Sequence, residues 1–447
     1  MIVLVVLVAV AVLAAFAGLH WYVWRRLVRD TTAGPGLARR LGTAVFVAGP
    51  LLMFGALVAE RTGAPFLLQR VLAWPGFLWM ALALYLLLAV LAGELVRPLL
   101  LRWTERRARS VEAGSESGSS VVAGSESGSS VEAGSETGSS VEADPETGPS
   151  VEADPGSGPA EESGSTAVPV RAAPSRRLFV SRIVGGAAAA AAVGTVGQGT
   201  YGVLRGPGVK RVTVPLAKLP RAAHGFRIAV VSDIHLGPIL GRGFTQRVVD
   251  TVNATQPDLI AVVGDLVDGT VEHLGPAAAP LAGLRARHGA YFVTGNHEYF
   301  SGAEEWVGHV RELGLHPLRN ARTELPAFDL AGVDDVAGES EGKGPDFAEA
   351  LGDRDRSRAA VLLAHQPVVI HDAVEHGVDL QLSGHTHGGQ LWPGNLVADL
   401  ANPTLAGLER YGDTQLYVTR GAGAWGPPVR VGAPSDITVV ELASRQA

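Results

Sequence analysis

The sequence predicts an α/β domain in the C-terminal half of the chain, preceded by transmembrane α-helices and a disordered linker. Three observations predict this arrangement. Short apolar runs recur at Arg227–Ser232, Leu259–Val263, Ala290–Thr294 and Val361–Ala364, each ending in polar residues. Such runs read as strands buried on both faces, and the carboxyl ends of those strands are where open α/β sheets place ligands. The chain is 47% hydrophobic and only 18% charged, with apolar residues massed near the amino terminus, a balance that points to membrane segments. Between the two halves a decapeptide rich in Gly, Ser and Glu recurs.

Met1 to His20 is almost uninterruptedly apolar and precedes Trp21-Tyr22 and Arg25-Arg26. A signal peptide carries its positive charge before the apolar run. Here the charge follows, as it does beside a spanning helix with an aromatic belt and a basic cytoplasmic flank. Leu41–Ala59 supplies a second run near the roughly 20 residues a span requires, and Val71–Val96 a longer third. Residues 1–105 are therefore expected to form a membrane domain of three transmembrane helices.

The repeats VEAGSESGSS, VVAGSESGSS, VEAGSETGSS, VEADPETGPS and VEADPGSGPA follow Arg109. One or two valines per repeat cannot bury a core, and the 12 acidic residues between Arg109 and Arg171 have no base among them. Residues 106–174 are expected to be a disordered, self-repelling spacer. Ser175-Arg176-Arg177-Leu178-Phe179-Val180 then opens a mildly apolar Gly/Ala run from Ile183 to Val203. Residues 175–205 read as a fourth transmembrane helix with a basic flank, or as a twin-arginine signal with the twin-arginine translocase as partner. Lys and Arg number five in residues 21–40, two in 60–70 and nine in 97–182. That alternation predicts a multi-pass cell-membrane protein with a cytoplasmic linker and an extracytoplasmic C-terminal domain.

In residues 206–447, Val212-Thr-Val-Pro alternates as an edge strand does, and Phe244–Thr255 and Ala303–Leu313 carry amphipathic helical spacing. Leu416–Thr419 and Ile437–Val440 are expected to close a second sheet, and Asp334–Arg358, rich in Gly and charge, to be a surface excursion. The polar clusters are Asp233-Ile-His235, Gly264-Asp265-Leu-Val-Asp268, Gly295-Asn296-His297-Glu298, His365, and Gly384-His385-Thr386-His387-Gly388. The chain has no cysteine, which excludes disulfides and thiolate sites. Asp, Asn and His donors suit Mn, Fe, Zn, Co or Mg. These donors outnumber what one ion uses, whereas two divalent ions roughly 3.5–4 Å apart, sharing a carboxylate, form a centre suited to phosphate ester hydrolysis.

This ordered set resembles the calcineurin-like metallophosphoesterase superfamily, and Gly384-His-Thr-His-Gly-Gly-Gln390 resembles its bacterial membrane-associated branch. The resemblance covers roughly Arg211 to Leu442. It implies a four-layer αββα sandwich of two mixed sheets. It implies that Asp233, His235 and His387 hold a first metal, that Asp265 bridges, and that Asn296, His365 and His385 hold a second. His297 would be the catalytic residue beside the leaving group. Asp268 reads either as hydrogen-bond partner of a ligand histidine or as a cap. Glu298 reads as supporting structure, Gly388-Gly389 as a close passage of backbone, His371 and His376 as surface residues, and Trp392 and Trp425 as rim or packing. Protein phosphatases of the superfamily carry arginine after the second and third motifs. Gly269 and Tyr299 stand there instead, which argues against a phosphoprotein substrate.

From Lys210 onward 20 basic residues face 28 acidic ones, so no electrostatic footprint for nucleic acid is expected. The expected activity is metal-dependent hydrolysis of a phosphate ester or pyrophosphate in a phosphorylated small-molecule, envelope or lipid-linked substrate. The competing readings are a non-catalytic membrane sensor that keeps the fold and a cytoplasmic phosphodiesterase.

Overall fold

A computed structural model describes residues 2–122 and 175–445. Residues 123–174 of the expected linker lie outside the described residues. Among the described residues, four helices are long and apolar enough to cross a membrane. They are α1 (Ile2–Trp24, continued by a π-helical turn at Arg25–Arg29), α2 (Leu37–Arg61), α3 (Phe66–Val122) and α4 (Arg176–Leu204). With such helices the chain is a membrane-associated protein. Helix α3 runs on to Val122, so it overlaps the first residues of the stretch expected to be a spacer. An established helix lengthens at one hydrogen bond per added residue, without a new nucleation cost.

Small residues set the bundle contacts. Gly49 of α2 lies against the Trp79 ring of α3, and Gly93 of α3 against Val184 of α4. At one end of the bundle Arg26 pairs with Glu94 at 3.0 Å, Arg97 pairs with Glu94 at 3.2 Å and donates to Ser181 at 2.7 Å, and Arg182 donates to the Thr31 carbonyl at 3.0 Å.

The remaining elements, in chain order, are β1 (Gly208–Leu216), β2 (Phe226–Val231), α5 (Arg242–Ala254), β3 (Leu259–Val263), α6 (Val271–Ala278), β4 (Ala290–Val293), α7 (Asn296–Ser301), α8 (Ala303–Glu312) and β5 (His316–Pro317). They continue as β6 (Ala321–Glu324), β7 (Phe328–Gly332), α9 (Phe347–Leu351), β8 (Ala359–Leu363), α10 (Ile370–Glu375), β9 (Leu380–Ser383), α11 (Gly394–Ala401), β10 (Gly407–Tyr411), β11 (Thr414–Val418) and β12 (Asp436–Ser444). Among the described residues two six-stranded sheets form, ordered β1-β12-β2-β3-β4-β5 and β10-β11-β9-β8-β7-β6. Both are mixed: β2, β3 and β4 run parallel, as do β7, β8 and β9, while β12 pairs antiparallel to β2 and β10 to β11.

Val230, Ala261 and Val293 of the first sheet meet Leu330, Val361, Leu382 and Tyr417 of the second in a closed apolar layer. Helices α5, α6 and α8 cover the first sheet's outer face through Phe244, Val248, Leu274 and Trp306. Helices α9 and α10 cover the second through Phe347, Ala350, Ile370 and Ala373. The result is the four-layer αββα sandwich. Two expectations are corrected. β12 joins the first sheet rather than the second, because it is apolar on both faces: Ile437 packs under the helices while Val440 and Leu442 enter the inter-sheet core. Only an interior position satisfies both faces. The 334–358 excursion is also part of the helical layer, since α9 buries Phe347, Ala350 and Leu351.

The sandwich rests against the helical bundle at several points. The Phe66 ring stacks on His273 at 5.3 Å, and the Tyr85 hydroxyl donates to the Trp392 carbonyl at 2.9 Å.

Candidate metal centre

All the polar clusters sit at the carboxyl ends of β2, β3, β4, β8 and β9, along one rim of the sandwich. Parallel pairing brings these ends level: Val231 faces Val262, Val263 faces Val293, and Leu363 faces Leu382. Residues 233 and 387, remote in sequence, thereby become neighbours.

The turns that follow are strained. Eight described non-glycine residues have positive φ, and five of them are Asp233, His235, Asp265, His385 and His387. Left-handed backbone at non-glycine positions persists only where the surroundings over-determine it, and it concentrates at functional sites. At Gly264, φ is +73°, and an added Cβ would come within 2.6 Å of His365 Nδ1 and 2.7 Å of Gly295 N. The glycine is therefore required both by conformation and by close approach.

Among the described residues three groups of side chains converge, each with donor atoms close enough to share an ion: Asp233, His235 and His387; Asp265, His365 and His385; and His235, Asp268 and His297. His235 Nε2 lies 3.0 Å from His387 Nε2, and His387 Nε2 lies 3.3 Å from Asp233 Oδ1. Asp265 Oδ2 stands between the first two groups, 3.7 Å from His235 Nε2 and 3.1 Å from His365 Nε2. Asn296, at the start of α7, places Oδ1 3.0 Å from His385 Nδ1. All seven residues read as metal ligands from sequence are thus brought together.

A ring of hydrogen bonds holds them. Asp268 Oδ1 accepts from His235 Nδ1 at 2.8 Å and contacts His297 Nδ1 at 2.7 Å, so it orients both rings rather than capping the next segment. Glu298 is fully buried and accepts three backbone N–H groups, from Gly295 at 2.6 Å, Asp265 at 3.0 Å and Leu266 at 2.8 Å. It ties the turn after β3 to the turn after β4. The His297 amide donates to Asp265 Oδ1 at 2.9 Å, and the His385 amide to Asp233. His371 lies beside Tyr411 and His376 beside Phe347, both apart from this rim.

The electrostatics follow from burial and pairing. Burial alone would lower the His297 pKa, but the bond to Asp268 and its charge outweigh that and raise it to about 9. Burial would lift Asp268, yet His235 and His297 hold it down at about 2. Burial and the neighbouring His365 push His385 down to about 4. Burial and the Arg430 guanidinium keep His387 well below the usual histidine range, and neutral imidazole is the form a metal accepts.

The residues fit a divalent pair. His365 Nε2 is buried and lies 3.1 Å from another candidate ligand, Asp265 Oδ2, so two donors already face each other at a separation one ion can share. Asp233, Asp265 and Glu298 bury three carboxyl groups in one small volume, an arrangement that demands positive charge to offset it.

Several participants escaped sequence reasoning. Arg430 is buried, donates to the His387 ring at 2.9 Å and to the His387 carbonyl at 3.0 Å, and is anchored on the Gly423 and Ala433 carbonyls. A lone arginine in Pro-Val-Arg-Val carries no local signal. Leu57, Glu60 and Arg61 of α2 line the cleft of about 430 Å³ that opens at His297, together with Asp268, Phe300 and Trp425. Trp425 is therefore rim, as one of its two readings held, whereas Tyr299 turns away to the Lys343 carbonyl at 3.2 Å.

Comparison with known proteins agrees with this geometry. Residues 226–389 match the family model described as calcineurin-like phosphoesterase. A transmembrane protein with metallophosphoesterase domain from Danio rerio is 39% identical over 250 residues, 53% of this chain and 57% of that protein. A metallophosphoesterase of Helicobacter pylori strain J99 is 38% identical over 272 residues, 60% of this chain and 73% of that protein. One from Aquifex aeolicus is 34% identical over 239 residues, 52% of this chain and 91% of that protein. The chain thus spans little more than half the length of the zebrafish relative, and most of the bacterial ones. With its αββα sandwich and its rim of Asp, His and Asn donors, the chain belongs to the calcineurin-like metallophosphoesterase family.

Proposed function

We propose that this chain is a membrane-anchored phosphoesterase that hydrolyses a phosphate ester or pyrophosphate bond with two divalent metal ions, on an envelope or lipid-linked substrate. The observation that carries the reading is the position of Asp265 Oδ2 between two donor groups that meet from five strand ends. In this reading Asp233, His235 and His387 hold one ion, Asn296, His365 and His385 the other, and Asp265 is shared. When bound, the ions stabilise charge on the phosphoryl oxygens and make water nucleophilic near neutral pH. Asp268 fixes His297 through Nδ1, which leaves Nε2 to give a proton to the departing oxygen. The Asp268 carboxylate favours the protonated ring, the form that can donate.

Two features support a catalytic domain outside the cell. The Arg26, Arg97 and Arg182 cluster lies at the end of the bundle that holds Glu94, whereas the sandwich meets α3 at Phe66. Basic flanks stay cytoplasmic. Contact of α4 with α3 through Val184 and Ser181 favours a retained spanning helix over a cleaved twin-arginine signal.

The test is the full chain in detergent, stripped with chelator, reloaded with Mn, Fe or Zn, and offered p-nitrophenyl phosphate, bis-p-nitrophenyl phosphate and lipid pyrophosphates. Turnover that returns with the ion and is lost in Asp265→Asn is expected. Protein carrying two ions that cleaves none of these would sink the proposal.

A further inference from the structure

Helix α11 is built inside out. On a helical projection Leu396, Val397, Leu400 and Ala401 share one face, and Asn395, Ala398, Asp399 and Asn402 share the other, where Asp399 stays exposed at the edge. In a water-soluble domain the apolar face would turn to the core. Here Leu396, Val397 and Leu400 are 61%, 70% and 89% exposed, while Asn395, Ala398 and Asn402 are partly covered by the domain. Trp392, two residues before the helix, is 51% exposed.

The position of this face says what meets it. The Trp392 carbonyl accepts from Tyr85 of α3, the preceding Leu391 packs with the helical bundle, and Val429 lies against Gly199 of α4. Along α3, Tyr85 lies between Arg70 and the charged cluster at Glu94. It is nine residues from Glu94 and fifteen from Arg70, about 13 Å and about 22 Å at the helical rise. A hydrocarbon core is roughly 30 Å thick, so Tyr85 falls well inside the apolar span. The strap from Leu391 to α11 therefore reaches below the membrane surface, beside helices whose outward side chains are also apolar, such as Leu51 at 67% and Leu95 at 77% exposed.

We propose that α11, with Trp392, is embedded in the acyl region of the bilayer beside α3, so that the sandwich is sunk into the bilayer rather than held above it. The inference rests on the reading that α2, α3 and α4 span the membrane. Its consequence for the site is direct. The metal-centre residues His385 and His387 precede this strap by only a few residues, and the cleft beside them is bounded by Leu57, Glu60 and Arg61 at the end of α2. The mouth of the site then lies at headgroup level, where the phosphate of an amphiphile already sits, and its chains need not leave the lipid.

Because the chain has no cysteine, single labels report cleanly. The full chain is placed in phosphatidylcholine and phosphatidylglycerol nanodiscs with a nitroxide at Leu400→Cys, or at Leu396→Cys as a second variant. Leu51→Cys in α2 serves as the lipid reference, and Asp353→Cys, on the exposed side of the catalytic domain, as the water reference. Collision with oxygen against a water-soluble nickel chelate is measured. The expected oxygen-to-nickel ratio at 400 and 396 is within about twofold of that at 51 and roughly tenfold above that at 353, as for an apolar helix face buried in the membrane interface. A ratio at 400 and 396 equal to that at 353, with 51 in lipid, overturns the embedding of α11 and leaves the spanning helices intact. A water-like ratio at 51 overturns the spanning reading itself, and the embedding falls with it.

Discussion

Replacing Glu298 by Gln tests whether the centre is organised from behind. The carboxylate is fully buried and accepts from the amides of Gly295, Asp265 and Leu266. Burial and Asp265 push its pKa up to about 7, so measurement at pH 8 compares the ionised group with a neutral isostere. The amide oxygen of Gln can serve two of the three donors, while its NH2 faces the third. A hydrogen bond to a charged acceptor contributes about 1.5–3 kcal/mol and a neutral one about 0.5–1.5 kcal/mol. Losing one bond and weakening two costs about 3–5 kcal/mol, while a neutral isostere escapes the burial and the Asp265 repulsion that raise the carboxyl to about 7, a relief of about 3 kcal/mol, so the net cost is about 0–2 kcal/mol. For a domain of this size each kcal/mol moves Tm by about 2–4 °C, so differential scanning calorimetry should show a fall of no more than about 8 °C. Metal content by elemental analysis should fall with it, because the amides released belong to Asp265 and to the glycine before Asn296. Metal content equal to that of the unsubstituted protein, or a Tm fall well beyond about 8 °C, would refute the reasoning, since the three buried bonds would then either not organise the centre or not be offset by the cost of burying the charge.

Two further substitutions separate chemistry from architecture. His297→Gln removes the ring held by Asp268 without touching Asp233, Asp265 or His365, and turnover of an alkyl phosphodiester should fall about 10²–10⁴-fold with metal content unchanged. Equal loss of bound metal would make His297 a structural residue. Gly264→Ala forces a side chain onto left-handed backbone and to within 2.6 Å of the His365 ring. It should destabilise the fold by about 2 kcal/mol or more and lower metal occupancy; a wild-type melt would refute the requirement for glycine.

Much of this protein is legible without coordinates. Buried parallel strands are local apolar runs, and the turns after them announce themselves through Asp233-x-His235, Gly264-Asp265 and Gly384-His385, because side-chain chemistry at a strand end is a local property. Membrane helices are legible for the same reason, since length and hydropathy belong to one continuous segment. Left-handed backbone at Asp233 and His387 was invisible, as only glycine advertises positive φ.

Local residue patterns carry the candidate donor set, the α/β class and the apolar spans. Tertiary structure alone decided which sheet takes β12, that Asp268 serves two histidines, that Arg430 backs His387, and that the end of α2 walls the cleft. It also decided that α11 turns its apolar face outward. The physical reason is common to all of these. Periodicity and composition record what a segment must hide, whereas the surface it hides against is supplied by residues tens to hundreds of positions away, and only the folded chain brings the two together.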